Sequence, residues 1–74
     1  MKVIQINDYL SFVIQKSKKG TAMNAVYDGV SIGHKHACNH TECNVRFIAE
    51  LTMVAEQMHR FEKIFDVDET VNQN

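Results

Sequence analysis

Proline is absent from this chain, glycine occurs three times and cysteine twice among 74 residues. Without proline, internal repeats or a low-complexity tract, no linker can be placed before the end of the chain. Residues 1–66 therefore read as a single small domain, and 67–74, acidic and then amide-rich, as a disordered tail. No stretch of about 18 apolar residues occurs, which leaves no candidate membrane span. The opening segment, Met1 to Asp8, turns polar after six residues and lacks the apolar core and small-residue cleavage site of a secretory signal. A cytoplasmic, reducing location is the expectation. The three glycines form no phosphate-binding pattern, and no catalytic signature accompanies them, so an enzyme is not expected.

What is present is apolar enough to fold, at 45% of the residues. A chain of this size is near the lower limit for independent folding, because one small core rarely supplies more than about 3 to 5 kcal/mol. A metal, a disulfide or a partner subunit is the usual supplement. The net charge of −1 hides a division along the chain. Residues 1–35 carry five lysines against Asp8 and Asp28, whereas residues 36–74 carry Arg46, Arg60 and Lys63 against seven acidic side chains. A phosphate backbone would be attracted to the first half and repelled by the second, which weakens the case for nucleic acid as the main partner.

Local patterns suggest an α+β domain. Lys2 to Ile6 is short, β-branched and apolar, as in a strand. Asn7 or Asp8 can cap a helix through Tyr9, Leu10, Phe12, Val13 and Ile14, with Lys16, Lys18 and Lys19 near its end and Gly20 just beyond it. The same residues alternate at Leu10, Phe12 and Ile14 and are strand formers, so a strand competes with that helix. We take the short helix as the expectation, with a four-stranded meander as the alternative. Asp28-Gly29, set between apolar flanks, predicts a hairpin with strands near 22–27 and 30–36, and Gly33 suggests a bulge in its second strand.

A long helix over about 41–66 follows, with Asn39 as its expected cap and Glu42 three residues on. Phe47, Leu51, Val54, Met58, Phe61 and Phe65 recur at spacings of three and four, which aligns them on one stripe that Ile48, Ala55 and Ile64 widen. A helix of that length measures about 39 Å, while a compact domain of this size is only about 30 Å across. Its far end, Met58, Phe61, Ile64 and Phe65, is therefore the candidate partner interface. The expected partner is a protein, including a second copy of the chain in a homodimer.

Five metal-ligand side chains fall within ten residues: His34, His36, Cys38, His40 and Cys43. On a continuing strand the four even-numbered residues share one face, with Cys43 brought back by the turn into the helix. Any four of the five make a candidate site for Zn2+, the one cofactor these residues suggest, stapling hairpin to helix. Unpaired, partly buried side chains are the plainer reading, and a Cys38–Cys43 disulfide or a reactive thiol near the helix start are others. All five lie in one short junction, unlike the two separated ligand pairs of most structural zinc sites. The functional expectation is a small non-enzymatic protein-binding module, a regulator or inhibitor of a larger partner. A zinc-stapled nucleic-acid-binding domain using the lysine-rich half is the alternative.

Overall fold

A computed structural model describes the backbone of residues 1–72 and the side chains of residues 1–65. Four strands, β1 (Lys2–Gln5), β2 (Leu10–Ser17), β3 (Gly20–Tyr27) and β4 (Val30–Cys38), precede one helix, α1 (Thr41–Asn72). The strands form an antiparallel meander in the order β1-β2-β3-β4. The α+β class with a long C-terminal helix packed on a small sheet is as expected. The helix runs on to Asn72, and the expected disordered tail over 67–74 falls on residues whose side chains lie outside the description.

Residues 10–17 are strand, which corrects the expectation of a short first helix. Asn7 does cap, but it caps a turn: its Oδ1 accepts the backbone N–H groups of Tyr9 at 3.1 Å and Leu10 at 2.9 Å, closing a local side-chain turn between β1 and β2. Gly20, assigned to a helix end, instead opens β3 at φ +122° after a two-residue turn through Lys18 and Lys19. The alternation of Leu10, Phe12 and Ile14 outweighed the capping signals, because it puts all three on the face that the long helix covers.

The hairpin behaves as predicted. Asp28 at φ 48° and Gly29 at φ 82° supply the two positive-φ positions of a type I′ turn between β3 and β4. The register pairs Leu10 with Tyr27, Phe12 with Ala25 and Ile14 with Met23, so one face of the sheet gathers the core. Leu10, Phe12, Ala25, Tyr27 and, from the helix, Ala55 are buried together, with Ile14, Ile32, Phe47, Ile48 and Leu51 packed around them. Phe12 and Leu10 are fully buried, and each contributes on the order of 1.5 to 3 kcal/mol by leaving water.

Two irregularities in the pairing of β4 shape the rest of the molecule. Gly33 pairs with Ala25 and Ser31 with Val26, leaving Ile32 as an extra residue beside the glycine, close to the expected bulge. Lys35 pairs with Met23 but Cys38 with Thr21, so a second extra residue lies between them.

Helix α1 lies across β4, β3 and β2. It comes close at Gly33, where a Cβ would lie 2.7 Å from Leu51 Cδ1. Farther along, Tyr9 stacks on His59 with ring centroids 4.1 Å apart and planes 8° from parallel. Tyr9 also meets Tyr27 edge to face at 5.5 Å, and the Tyr27 hydroxyl donates to Glu62 Oε2 at 2.6 Å.

The two glycines beside the helix joint and the helix seam are expected to differ in cost. At Gly20 a Cβ would sit 2.5 Å from the Cys38 carbonyl carbon, on a backbone that L residues avoid, so Gly20→Ala should cost about 3 kcal/mol or more. Gly33→Ala meets only the tip of a leucine and should cost about 1 kcal/mol. Urea unfolding of the two variants checks the order, and a larger loss at Gly33 would contradict it.

Candidate functional site

Among the described residues, the candidate ligands and the candidate interface lie at opposite ends of α1. The first is the joint between β4 and the helix. The second bulge of β4 breaks the alternation that would have aligned His34, His36, Cys38 and His40. His34 pairs with Asn24 on the face of the sheet away from the helix, and its ring meets that of His36 edge to face at 5.3 Å, both residues being exposed. Cys38 turns with Thr21 toward the helix side. The shared face assigned to the even-numbered residues is therefore corrected: the strand ends at Cys38 and the bulge reverses its facing.

Cys38 and His40 do come together. Cys38 Sγ accepts the His40 backbone N–H at 3.4 Å and lies 3.8 Å from His40 Nδ1. Cys43 lies in the first turn of the helix. Any four of the five candidate ligands include His34 or His36, and His34 lies on the opposite face of the sheet from Cys38. Among the described residues no group of three or more His, Cys, Asp or Glu side chains is placed to hold a metal ion.

The electrostatics of the pair are asymmetric. The hydrogen bond from Cys43 and those from His40 hold the Cys38 thiol down to about 7, against the partial cost of its burial. The same contact, together with burial, pushes the Cys43 thiol up. Both cysteines are free and half-buried. The Lys35 ammonium lies close by, donating to the carbonyls of Thr21 at 2.7 Å and His36 at 3.0 Å, beside the bulge. In the sequence Lys35 counted only as charge, because nothing there announces a bulge for it to fill. The expected cap at Asn39 is also displaced by one residue. His40 supplies the carbonyl that closes the first helical turn, accepting the Asn44 N–H at 3.3 Å.

The second place is the far end of the helix. Of the six-residue stripe, Phe47 and Leu51 pack on the sheet, while Val54, Met58, Phe61 and Phe65 are exposed. The sheet takes the flank of the stripe, Ile48, Leu51 and Ala55, instead of its centre. Small Ala55, wholly buried, lets the helix settle on that flank. Phe61, Ile64 and Phe65 keep 57%, 55% and 64% of their surface exposed, and Met58 keeps 36%. Gln57 and Arg60 border a shallow groove with Phe61 and Ile64, of about 340 Å³. The interface residues expected from the helix length are thus outside their own core. The residues that end that core, Tyr9, Tyr27, His59 and Glu62, carried no signal in the sequence beyond helical spacing of the last two.

No family model matches this sequence, and comparison with curated proteins and with solved structures returns no match. What the molecule does must be argued from its own geometry.

A lowered thiol pKa leaves Cys38 largely ionised just above neutrality and protonated below it. Its alkylation by iodoacetamide is expected to rise with a midpoint near pH 7, against about 8.5 for an ordinary cysteine. Cys43→Ala removes the largest cause of the shift, so the midpoint should move upward, as read by peptide mass spectrometry across a pH series.

Proposed function

We propose that this chain is a small non-enzymatic protein-binding module, a regulator or inhibitor of a larger macromolecular partner, that acts as a homodimer through the distal part of α1. The observation that carries the reading is a mismatch of lengths. A strand of nine residues spans about 30 Å, whereas a helix of 32 residues spans about 48 Å, and the molecule measures 57 Å along its longest axis against 20 and 16 Å across. The helix outruns the sheet that covers it. Glu62, tied to Tyr27, is the last described helical side chain hydrogen-bonded to the sheet, and Ile64 and Phe65 follow it uncovered.

Area supports a paired state. Taking about 200 Å² for a large apolar side chain, the exposed fractions of Val54, Met58, Phe61, Ile64 and Phe65 amount to about 500 Å². That is at the upper end of the largest apolar patch on a typical monomer. Two such patches face to face remove about 1,000 Å², the lower bound for a specific interface. Val54, Met58, Phe61 and Phe65 follow one another at steps of four, three and four, the seam that a second helix fits. A pair related by twofold symmetry buries the same residues on both chains, so no second complementary surface is needed.

The alternative of a zinc-stapled nucleic-acid-binding domain has less behind it. Lys16, Lys18 and Lys19 are exposed together around the β2–β3 turn, but α1, at the other side of the joint, carries Glu42, Glu50, Glu56 and Glu62 against Arg46, Arg60 and Lys63. Three lysines at a turn are ordinary solvated charge.

Neither Phe61 nor Phe65 belongs to the core, so Phe61→Glu and Phe65→Glu should leave the circular dichroism spectrum unchanged. Sedimentation equilibrium should give twice the monomer mass for the native chain and the monomer mass for each variant. A native chain that stays monomeric at high micromolar concentration removes the homodimer, and variants that retain the dimer remove this face as its interface.

A further inference from the structure

We propose that His34 and His36 form a two-imidazole site for a zinc ion on the face of the sheet that the helix leaves open, with the ion's remaining positions filled by water. This inference does not rest on the helix interface. It also needs neither cysteine, unlike a four-ligand staple between hairpin and helix.

Geometry carries it. Residues two apart in a strand share a face, and the rings of His34 and His36 in β4 meet with centroids 5.3 Å apart and planes at 90°. Two imidazoles bound through nitrogen at about 2.1 Å to one tetrahedral zinc have their ring centres about 5 Å apart. The pair therefore stands at a chelating separation before any ion arrives. A square-planar ion with the rings at neighbouring corners would draw them closer, to about 4.5 Å. Both histidines are exposed, so turning the rings from edge-to-face contact onto a common ion disturbs no packing.

The surroundings suit a cation. Lys35, between the two histidines, pairs with Met23 on the helix side of the sheet, and its ammonium is engaged by the carbonyls of Thr21 at 2.7 Å and His36 at 3.0 Å. The outer face beside the imidazoles is uncharged. His34 borders a shallow hollow there of about 210 Å³, with Val13, Gln15, Ala22 and Asn24 around it, and Ser31 donates to Asn24 Oδ1 at 2.6 Å. The bulge between Lys35 and Cys38 takes the thiol to the other face and leaves the two imidazoles together.

Two ligands on one strand bind better than two separate ones. Once the first nitrogen holds the ion, the second binds intramolecularly, at the high effective concentration of a neighbouring side chain. Among the described residues no third His, Cys, Asp or Glu joins them, so the coordination stays open and the ion exchanges with solvent. Only a neutral imidazole has a lone pair to give, so protons compete with zinc and binding weakens in acid.

The test is a zinc titration of the full reduced chain, followed by NMR of the ring C–H signals of its four histidines. The signals of His34 and His36 should move together as the first equivalent is added and saturate at one zinc per chain, while that of His59 stays in place. His34→Ala and His36→Ala should each weaken binding at least about tenfold, and Cys38→Ser and His40→Ala by less than about threefold. The ring signals are read on the native chain, so the assignment is tested even where a variant fails to fold. Saturation at half a zinc per chain, movement of His40 ahead of His34 and His36, loss of binding in Cys38→Ser, or no shift of either ring at millimolar zinc would each overturn the site.

Discussion

The placement of everything else depends on how α1 meets the sheet at Gly33. A glycine in β4, opposite Ala25, leaves a gap in the sheet surface that the end of Leu51 enters. One turn on, Ala55 adds a second small contact and is completely buried. These small residues let the helix backbone come close, and closeness fixes rotation, because a helix seated on Leu51 and Ala55 turns Val54 off the sheet. The apolar stripe is consequently divided between a buried flank and an exposed one. The exposed flank follows from the packing of the buried flank.

Where the helix leaves the sheet is decided by a different set of contacts. Tyr9 and Tyr27 sit together at one end of the sheet, and between them they hold His59 by stacking and Glu62 by a hydrogen bond. Tyr27 is buried except at its hydroxyl end, and its proton is held more tightly than in free tyrosine by Glu62, by burial and by the neighbouring Asp28. A carboxylate accepting from a neutral hydroxyl makes a firm, charge-assisted tie. This polar contact marks the boundary of the core, since side chains beyond it have no strand beneath them. Apolar residues past such a boundary stay in water unless another chain covers them, which is the physical content of the protein-binding reading.

Much of this was legible in the residues, and the parts that were not share one cause. The turn at Asp28-Gly29, the long helix and the exposure of Met58, Phe61, Ile64 and Phe65 follow from short-range chemistry and from length, which a sequence states directly. The strand at residues 10–17 was open because capping signals and alternation disagreed there; Asn7 satisfies the capping pattern with a turn of only three residues, a use that local sequence does not separate from a helix start. The shared face expected of His34, His36, Cys38 and His40 is lost through register. A single extra residue between Lys35 and Cys38 reverses every side chain after it, and bulges of that kind depend on what the partner strand and helix require. Gly33 hinted at an irregularity in β4, but its companion near Lys35 left no mark.

That same bulge gives the joint its chemistry. Had β4 continued in register, Cys38 would share the outer face with His34 and His36. The reversal takes Cys38 off the histidine pair and sets it against the start of the helix, where backbone N–H groups are free to donate. From Cys43 to Phe61 the helix runs 18 residues, about 27 Å, through its whole contact with the sheet. Charge at the thiols is screened over a distance shorter than that at physiological ionic strength. Charge at Cys38 therefore does not reach the apolar end, and the two ends of the helix are electrostatically independent.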